Sequence, residues 1–151
     1  MINFNSINNS QISENMGVHR VQAKLTNAVD EELVNRGLLN PSLLRVYETQ
    51  ALVDTGATRT VIPNSVVQQL GLRIRTQEVA EYADGRQEVI GVTGPIIIEI
   101  LERQTIESAM VTGNEVLIGQ TVLETLDLLV DCKHQRLIPN PEHPNQPVLR
   151  I

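Results

Sequence analysis

The sequence predicts a mainly β domain with a few short helices, and three observations support that prediction. Its 151 residues are about the length of one ordinary domain, which is too short for two independent lobes. Apolar residues, mostly Val, Ile and Leu, make up 41% of the chain, whereas aromatic residues make up only 2%. Branched aliphatic side chains of this kind pack well on pleated sheets. Short apolar runs separated by turn residues also recur along most of the chain.

The strand-like runs are interpreted from alternating or continuous apolar residues. They lie at residues 18–25, 46–53, 78–82, 87–92, 95–101, 108–112, 115–118 and 128–131. Residues 83–86 (Ala-Asp-Gly-Arg) separate two of these runs. An Asp-Gly pair in that position indicates a hairpin, because glycine tolerates the positive φ that the turn demands.

Three segments are predicted to be helical from their start and stop signals. Residues 29–36 carry acidic residues near their start and precede Gly37. Residues 64–70 follow Pro63 and end at Gly71, where a left-handed cap is expected. Residues 121–126 begin with Thr121, a candidate capping residue.

The two ends of the chain differ in composition from its centre. Residues 1–15, rich in Asn, Ser and Gln, are interpreted as a flexible tail, with an edge strand ordered by oligomerisation as the alternative. Residues 16–138 are the predicted domain. Residues 139–151 form a Pro-rich extension, whose last four residues are either a terminal strand or a loose tail.

Charge and cysteine content exclude several classes of protein. A net charge of −6 without any basic run argues against a nucleic-acid partner. The single Cys132 allows no intramolecular disulfide and no Cys-based metal site, and it is interpreted as a small buried or half-buried residue. His19, His134 and His143 have no Glu, Cys or His paired with them at ligand spacing, so we expect no metal site, and the sequence implies no organic cofactor. Without a leader-like segment or about 18 consecutive apolar residues, we expect a cytoplasmic protein with no membrane association.

Residues 51–58 (Ala-Leu-Val-Asp-Thr-Gly-Ala-Thr) are the most informative stretch. An apolar strand delivers Asp54 into a setting where desolvation and neighbours set its pKa. Gly56 allows close backbone approach and has an N–H that can bond a carboxylate oxygen, and the Thr55 hydroxyl can brace the loop. Taken alone, Asp-Thr-Gly is a weak signal that is better explained by a simple turn after a strand, in which the aspartate is a local cap.

The order of the motifs narrows the interpretation. The Asp-Thr-Gly segment continues to Val61-Ile62-Pro63, a helix ends at Leu70-Gly71-Leu72, the Asp-Gly hairpin follows, and Leu117-Ile118-Gly119 then precedes another helix. In this order, residues 18–137 resemble the retropepsin-like aspartic peptidases, the single-lobe, retroviral-type branch of the pepsin clan. The resemblance implies an acid-protease β-barrel that is closed by homodimerisation.

The resemblance also implies roles for particular residues. Asp54 is the expected catalytic carboxylate, Thr55 is expected to form hydroxyl contacts across the dimer axis, and Gly56 to line the cleft. Further expected site residues are Ala57 and Thr58 as support, Tyr82, Ala83, Asp84, Gly85 and Arg86 as the flap, and Leu117, Ile118 and Gly119 as the second motif. For Tyr82, contact with substrate and filling of the hairpin's apolar face are equally compatible with the sequence.

The sequence departs from the family pattern in three places. Residues 27–44 are longer than the usual turn between the first strands, and the flap tip is not the run of glycines seen in viral enzymes. Thr58 and Arg59 stand where viral enzymes carry acidic substrate-binding residues. Specificity therefore cannot be carried over at those positions.

The chain contains half of an aspartic-peptidase site. Two carboxylates about 3 Å apart must share one proton in such a site. Only one Asp-Thr-Gly is present, and Asp84, Asp127 and Asp131, which lack the motif context, are interpreted as turn or surface acids. A two-fold homodimer supplies the second Asp54.

The predicted function is hydrolysis of extended peptide segments. The alternatives are a non-catalytic peptide-binding or scaffold domain and a self-processing enzyme.

Overall fold

The computed structural model describes residues 19–151, which form one large sheet, a small hairpin and three short α-helices. The strands are β1 (His19–Asn27), β2 (Val46–Val53), β3 (Val61–Ile62), β4 (Ile74–Glu81), β5 (Gln87–Thr93), β6 (Ile96–Ile100), β7 (Arg103–Glu107), β8 (Met110–Val111), β9 (Leu117–Ile118), β10 (Leu128–Asp131) and β11 (Arg136–Pro139). The helices are α1 (Ala28–Asn35), α2 (Asn64–Leu70) and α3 (Gln120–Leu126), with a 3₁₀ turn at Pro41–Leu43.

Nine strands form a curled half-barrel sheet in the order β4-β5-β8-β3-β9-β2-β1-β6-β7, and β10 pairs with β11. Most neighbouring strands are antiparallel, including β1 with both β2 and β6. The exceptions are the parallel pairs β2–β9 and β3–β8. Strand β9 lies between β2 and β3, so a late segment of the chain joins two early strands. The predicted mainly β fold is confirmed.

The core is built almost entirely from branched aliphatic side chains, as the composition predicts. Its largest fully buried members are Leu25, Ile62, Leu70, Ile96, Ile98, Ile100, Ile118 and Leu126. Each such side chain contributes roughly 1.5–3 kcal/mol on burial. The apolar faces of α2 and α3 pack into the same core. This packing holds both helices close to the loop that follows β2.

Two predicted helices are confirmed together with their end signals. Asn27 caps α1 by accepting a hydrogen bond from the Asp30 N–H at 3.0 Å, and its amide donates to the Leu70 carbonyl at 2.8 Å. Helix α2 ends at Gly71, which has a φ of 61°. A Cβ there would lie 1.8 Å from Nη1 of Arg45, so any other side chain would be strained by this conformation and would also displace the Arg45 guanidinium.

The third helix differs from its prediction at the start. Its N-cap is Gly119 rather than Thr121, and no side chain caps it. Thr121 lies inside the helix, and its hydroxyl donates to the Glu107 carboxylate at 3.0 Å. The sequence signal for a capping threonine was therefore wrong, because a tertiary contact takes the hydroxyl.

Several strand boundaries also differ. Strand β4 begins at Ile74 instead of residue 78, and strands β3, β7 and β11 were not predicted. Strand β4 lies at an edge of the sheet, and nearly all its side chains are exposed, so no apolar alternation marks it. The predicted runs at 108–112 and 115–118 form strands of only two residues each. Strand β6 stops at Ile100 because Leu101 and Glu102 take positive φ values of 52° and 66° in the turn to β7.

Of the predictions for the two ends of the chain, the structure tests only the one for the C-terminal residues. Pro139 still belongs to β11, and no helix or strand follows it, so residues 148–151 are not a strand in this single chain. The Val148 N–H instead donates to Asp127 Oδ2 at 3.1 Å. The predicted tail at 1–15 and the start of the first predicted strand at Val18 lie outside the described residues.

Candidate active site

Asp54 follows the last residue of β2, a strand whose inner side chains are completely buried. Ala51 and Val53 are 0% and 1% exposed, and Asp54 itself is half-buried. The Asp54 N–H donates to the Ile118 carbonyl at 2.9 Å, which continues the parallel pairing of β2 with β9. Two apolar strands therefore fix the backbone of Asp54 at the rim of the core.

The chain turns sharply after Asp54. The Gly56 N–H donates to Asp54 Oδ1 at 3.0 Å, and the Ala57 N–H donates to the Asp54 carbonyl at 3.1 Å. A Cβ at Gly56 would lie 3.3 Å from the same carboxylate oxygen, so a side chain would crowd this contact. Thr55 is exposed, and its hydroxyl has no hydrogen-bond partner within residues 19–151. The turn thus orients the carboxylate through backbone contacts.

The second predicted motif meets this turn directly. The N–H groups of Gln120 and Thr121, in the first turn of α3, donate to the carbonyls of Ala57 and Thr58 at 2.8 and 2.9 Å. These helix N–H groups have no partner inside the helix, so the turn satisfies them. A Cβ at Gly119 would lie 2.6 Å from the Arg59 carbonyl oxygen. Only glycine lets the two segments approach this closely.

The carboxylate of Glu107, which the sequence analysis did not identify, holds the residues that follow the Asp54 turn. Glu107, at the end of β7, accepts from the Thr60 N–H at 3.2 Å with one oxygen and from the Thr121 hydroxyl at 3.0 Å with the other. Thr60 is fully buried, so its N–H needs such an acceptor. Because β7 itself was not predicted, no local pattern pointed to Glu107.

The β4–β5 hairpin faces Asp54 across an open cleft of about 980 Å³. The hairpin is confirmed, with Val79 paired to Val89 and Glu81 to Gln87. Of the five predicted flap residues, Tyr82 and Ala83 line the cleft, while the other three complete the turn. Gly85 has the positive φ of 86° that the Asp-Gly signal predicted.

Tyr82 is held from several sides. Its hydroxyl donates to the Glu88 carboxylate and lies 3.4 Å from Oγ1 of Thr112. The guanidinium carbon of Arg86 lies 4.1 Å from the centre of its ring, a cation–π geometry. The ring is half-buried and borders the cleft, so both uses considered for Tyr82 remain compatible with its position.

Two ion pairs involve residues that line the cleft. Arg59 Nη1 lies 3.3 Å from Glu78 Oε1 and connects the Asp54 turn to the hairpin. Arg20 Nη1, on β1, lies 2.9 Å from Oε1 of Glu115, which also lines the cleft. Because all four side chains are partly exposed, each pair contributes at most about 1 kcal/mol. These pairs neutralise two of the carboxylates that line the cleft.

None of the remaining acids and histidines that the sequence raised lines the cleft, although His19 pairs with Val53, the residue before Asp54. His134 Nδ1 lies 2.8 Å from Asp131, and His143 Nδ1 lies 2.6 Å from Asp127, so these two histidines have acidic partners that sequence spacing did not reveal. The hydrogen bond from the Asn140 side chain, with others, lowers the pKa of Asp127, and the one from His134 lowers the pKa of Asp131. His19 is buried on β1.

Cys132 is exposed, so its interpretation as a buried or half-buried residue was wrong. It lies in the turn between β10 and β11, where residues 132–136 all face solvent. Within residues 19–151, no group of three or more His, Cys, Asp or Glu side chains is arranged to hold a metal ion. No helix in that range is long and apolar enough to cross a bilayer.

Comparison with known proteins agrees with this geometry. Residues 45–125, more than half of the chain, match the family described as "gag-polyprotein putative aspartyl protease". The matched range contains the Asp54 turn, the hairpin and most of α3. No match was found among curated protein sequences.

A solved structure shows the same fold. The retroviral protease-like domain of Ddi1 from Leishmania major superposes with a TM-score of 0.51 at 16% identity, over 98% of this chain and 96% of that one. At this identity the likeness shows the fold alone. Together with the family match, it shows that the chain has a retropepsin-like fold and belongs to the gag-polyprotein aspartyl protease family.

Proposed function

We propose that the chain is an aspartic endopeptidase that hydrolyses extended polypeptide segments as a homodimer, with one Asp54 from each protomer. The observation that carries this proposal is the position of Asp54. Its carboxylate borders an open cleft, on a turn held by β9, by α3 and by Glu107. Such rigid backbone support is what a preorganised catalytic group requires.

The contents of one cleft support the homodimer. Of the other carboxylates lining it, Glu78 and Glu115 are ion-paired, and Glu81 lies on the hairpin rather than on the turn. Among the cleft residues that the structure describes, none repeats the fixed setting of Asp54. A two-fold axis beside the turn would bring a second Asp54 to the first.

The chemistry needs one proton shared by the two aspartates. The ionised carboxylate removes a proton from a water molecule, which attacks the scissile carbonyl carbon. The protonated carboxyl hydrogen-bonds the carbonyl oxygen and later helps to protonate the leaving nitrogen as the C–N bond breaks. Because this chemistry needs one ionised and one protonated carboxyl at the same time, we expect a bell-shaped pH profile with an acidic optimum.

Other residues have supporting roles in this proposal. The exposed Thr55 hydroxyl would contact the second protomer across the axis, and Gly56 would border the substrate backbone. Tyr82 and Ala83, which line the cleft, would close over a bound peptide as part of the flap. An extended substrate can then lie between the turn and the hairpin, with backbone hydrogen bonds to both.

The test is cleavage of a diverse pool of unstructured peptides between about pH 3.5 and 7, which spans carboxylate titration. The wild type is compared with Asp54→Asn and with Asp131→Asn, a matched loss of one carboxylate in the distant β10–β11 hairpin. We expect cleavage by the wild type and Asp131→Asn and none by a folded, dimeric Asp54→Asn protein. Equal cleavage by all three would place the activity elsewhere and refute the proposal.

Dilution provides a second readout. The rate per chain should fall as the dimer dissociates, so a rate that stays constant through the dissociation range would contradict the shared site. A stable dimer that cleaves no peptide would instead favour a non-catalytic peptide-binding domain. If the enzyme processes itself, residues near its ends should be removed in wild type but retained in Asp54→Asn.

A further inference from the structure

The connection between β1 and β2 forms a surface that the proposed peptidase activity does not use. It contains α1 and the 3₁₀ turn, and it exposes large aliphatic side chains, with Val29 54% and Leu38 71% exposed. Between them lies a cavity of about 330 Å³, also lined by Leu33 and Pro95. Exposed aliphatic residues gathered around one cavity are typical of an interaction site.

The charged residues at this first cavity cancel each other. Glu32 and Arg36 both line it, and Arg36 Nε lies 2.7 Å from Glu32 Oε2, one helical turn apart. Because the pair is neutral, the first cavity offers a partner mainly aliphatic contact.

A second cavity of about 340 Å³ continues from the first, sharing Val29, Leu33 and Pro95, and has a different character. Its charged lining residues are Arg45, Arg73, Arg75 and Asp30. Three guanidinium groups against one carboxylate give a local charge of +2, in a protein whose net charge is −6. The two cavities together, called the α1 groove below, are apolar at one end and cationic at the other.

The cationic end is already organised. Asp30 is 4% exposed, and it accepts from Arg45 Nε at 2.8 Å, from Arg45 Nη2 at 2.9 Å and from the Arg45 N–H at 3.2 Å. The single acid of the cavity is therefore occupied by an arginine that it holds in place. Within residues 19–151, Arg73 and Arg75 have no ion-pair partner. Two free guanidinium groups beside a fixed one can each donate two hydrogen bonds to a carboxylate.

We propose that the α1 groove is a docking site for a peptide segment of another protein that combines aliphatic and acidic side chains. The aliphatic side chains would fill the first cavity, and the carboxylates would pair with Arg73 and Arg75 in the second. No residue of the groove lines the Asp54 cleft, so this binding does not depend on catalysis. A polyanion without aliphatic groups would leave the first cavity empty, and the overall negative charge would repel it.

The experiment uses the Asp54→Asn protein, so that no probe can be cleaved, and measures fluorescence anisotropy at low salt. The probe is a short fluorescein-labelled peptide of leucine, glutamate and serine. Matched peptides carry glutamine in place of glutamate, or serine in place of leucine. We expect the acidic, leucine-containing peptide to bind about tenfold more tightly than the glutamine peptide, since two exposed ion pairs contribute up to roughly 1.4 kcal/mol. It should also bind more tightly than the leucine-free peptide, which leaves the first cavity empty.

Variants of the protein test whether the peptide binds in the α1 groove. Replacing Arg73 and Arg75 with serine should weaken binding about tenfold. Replacing Lys133 and Arg150 with serine removes the same charge elsewhere on the surface and should change binding less than about twofold. Leu38→Ser should weaken binding of the acidic, leucine-containing peptide but leave binding of the leucine-free peptide unchanged. This variant tests the apolar end of the α1 groove separately.

Four outcomes would overturn the proposal. The acidic peptide could fail to bind, or bind no better than its glutamine version. The two charge-removal variants could lose binding equally, which would indicate general attraction without a site. Inorganic phosphate could abolish binding as effectively as excess unlabelled peptide, which would indicate a small-anion site.

Discussion

Gly119 lies against the backbone of Arg59 at the end of the Asp54 turn, and Gly119→Ala should separate the second apolar-Gly motif from the turn. The added Cβ would lie 2.6, 2.7 and 2.9 Å from the O, C and N atoms of Arg59. All three are backbone atoms, so no change of side-chain rotamer can relieve the overlap. Either the turn or the start of α3 must move.

The size of the effect follows from this geometry. Even a tolerable separation of 3.0 Å requires a displacement of roughly 0.4 Å from the 2.6 Å contact. That displacement stretches the bonds from Gln120 and Thr121 to the turn, which are now 2.8 and 2.9 Å long. Overpacking of this kind costs about 1–3 kcal/mol. We expect a loss of about 2–3 kcal/mol and a fall in Tm of roughly 4–12 °C for a domain of this size.

Thermal and urea unfolding, followed by circular dichroism, measure this loss. Gly94→Ala is the matched control, because its Cβ would have no neighbour closer than 3.9 Å. The control should stay within about 0.5 kcal/mol of the wild type. If Gly119→Ala were as stable as Gly94→Ala, close backbone contact would not be the reason for glycine at this position.

Three further substitutions test other contacts. Glu107→Ala should lower the free energy of unfolding, measured in urea, by about 1–3 kcal/mol, because the buried Thr60 N–H loses its acceptor. Glu107→Gln keeps an acceptor oxygen and should lower it less. Equal losses in the two variants would contradict this reasoning. The hydrogen bond from Arg45 lowers the pKa of Asp30, so wild type should exceed Asp30→Asn in stability at neutral pH. This stability difference should persist down to about pH 4, the pKa of an unfolded carboxyl group, and vanish as the pH falls through the lower pKa of folded Asp30. A stability difference that does not change with pH would refute the role of the Asp30 charge. Asp127→Asn should speed amide hydrogen exchange at Val148, because the Val148 N–H would lose its carboxylate acceptor and find a weaker one. Asparagine tolerates the φ of 57° at this position, so the backbone conformation should not change. Unchanged exchange would show that the hydrogen bond from Val148 to Asp127 does not hold the C-terminal segment.

Local sequence signals predicted the features that depend on neighbouring residues. The Asp-Gly turn, the end of α2 at Gly71 and the strand that delivers Asp54 are all confirmed. Each depends on the conformational freedom of a glycine or on the apolar pattern of one segment. Such preferences act within a few residues, so a reader of the sequence can recognise them.

Only the tertiary structure decided the contacts between distant segments. Strand β9 joins β2 from 65 positions further along the chain, in the pairs Leu52–Leu117 and Val53–Ile118, and neither strand carries a signal for the other. Strands β4 and β7 lie at the two edges of the sheet, where exposed side chains leave little pattern to detect.

The sequence by itself determined the fold class, the Asp54 motif and the family resemblance, because these follow from local patterns in a fixed order. The tertiary structure decided that Glu107 holds the exit of the turn and that Asp30 fixes Arg45 beside two free arginines. Those arrangements bring together side chains that are 15 or more positions apart. Hydrogen bonds and ion pairs depend on distance in space, which the order of residues alone does not specify.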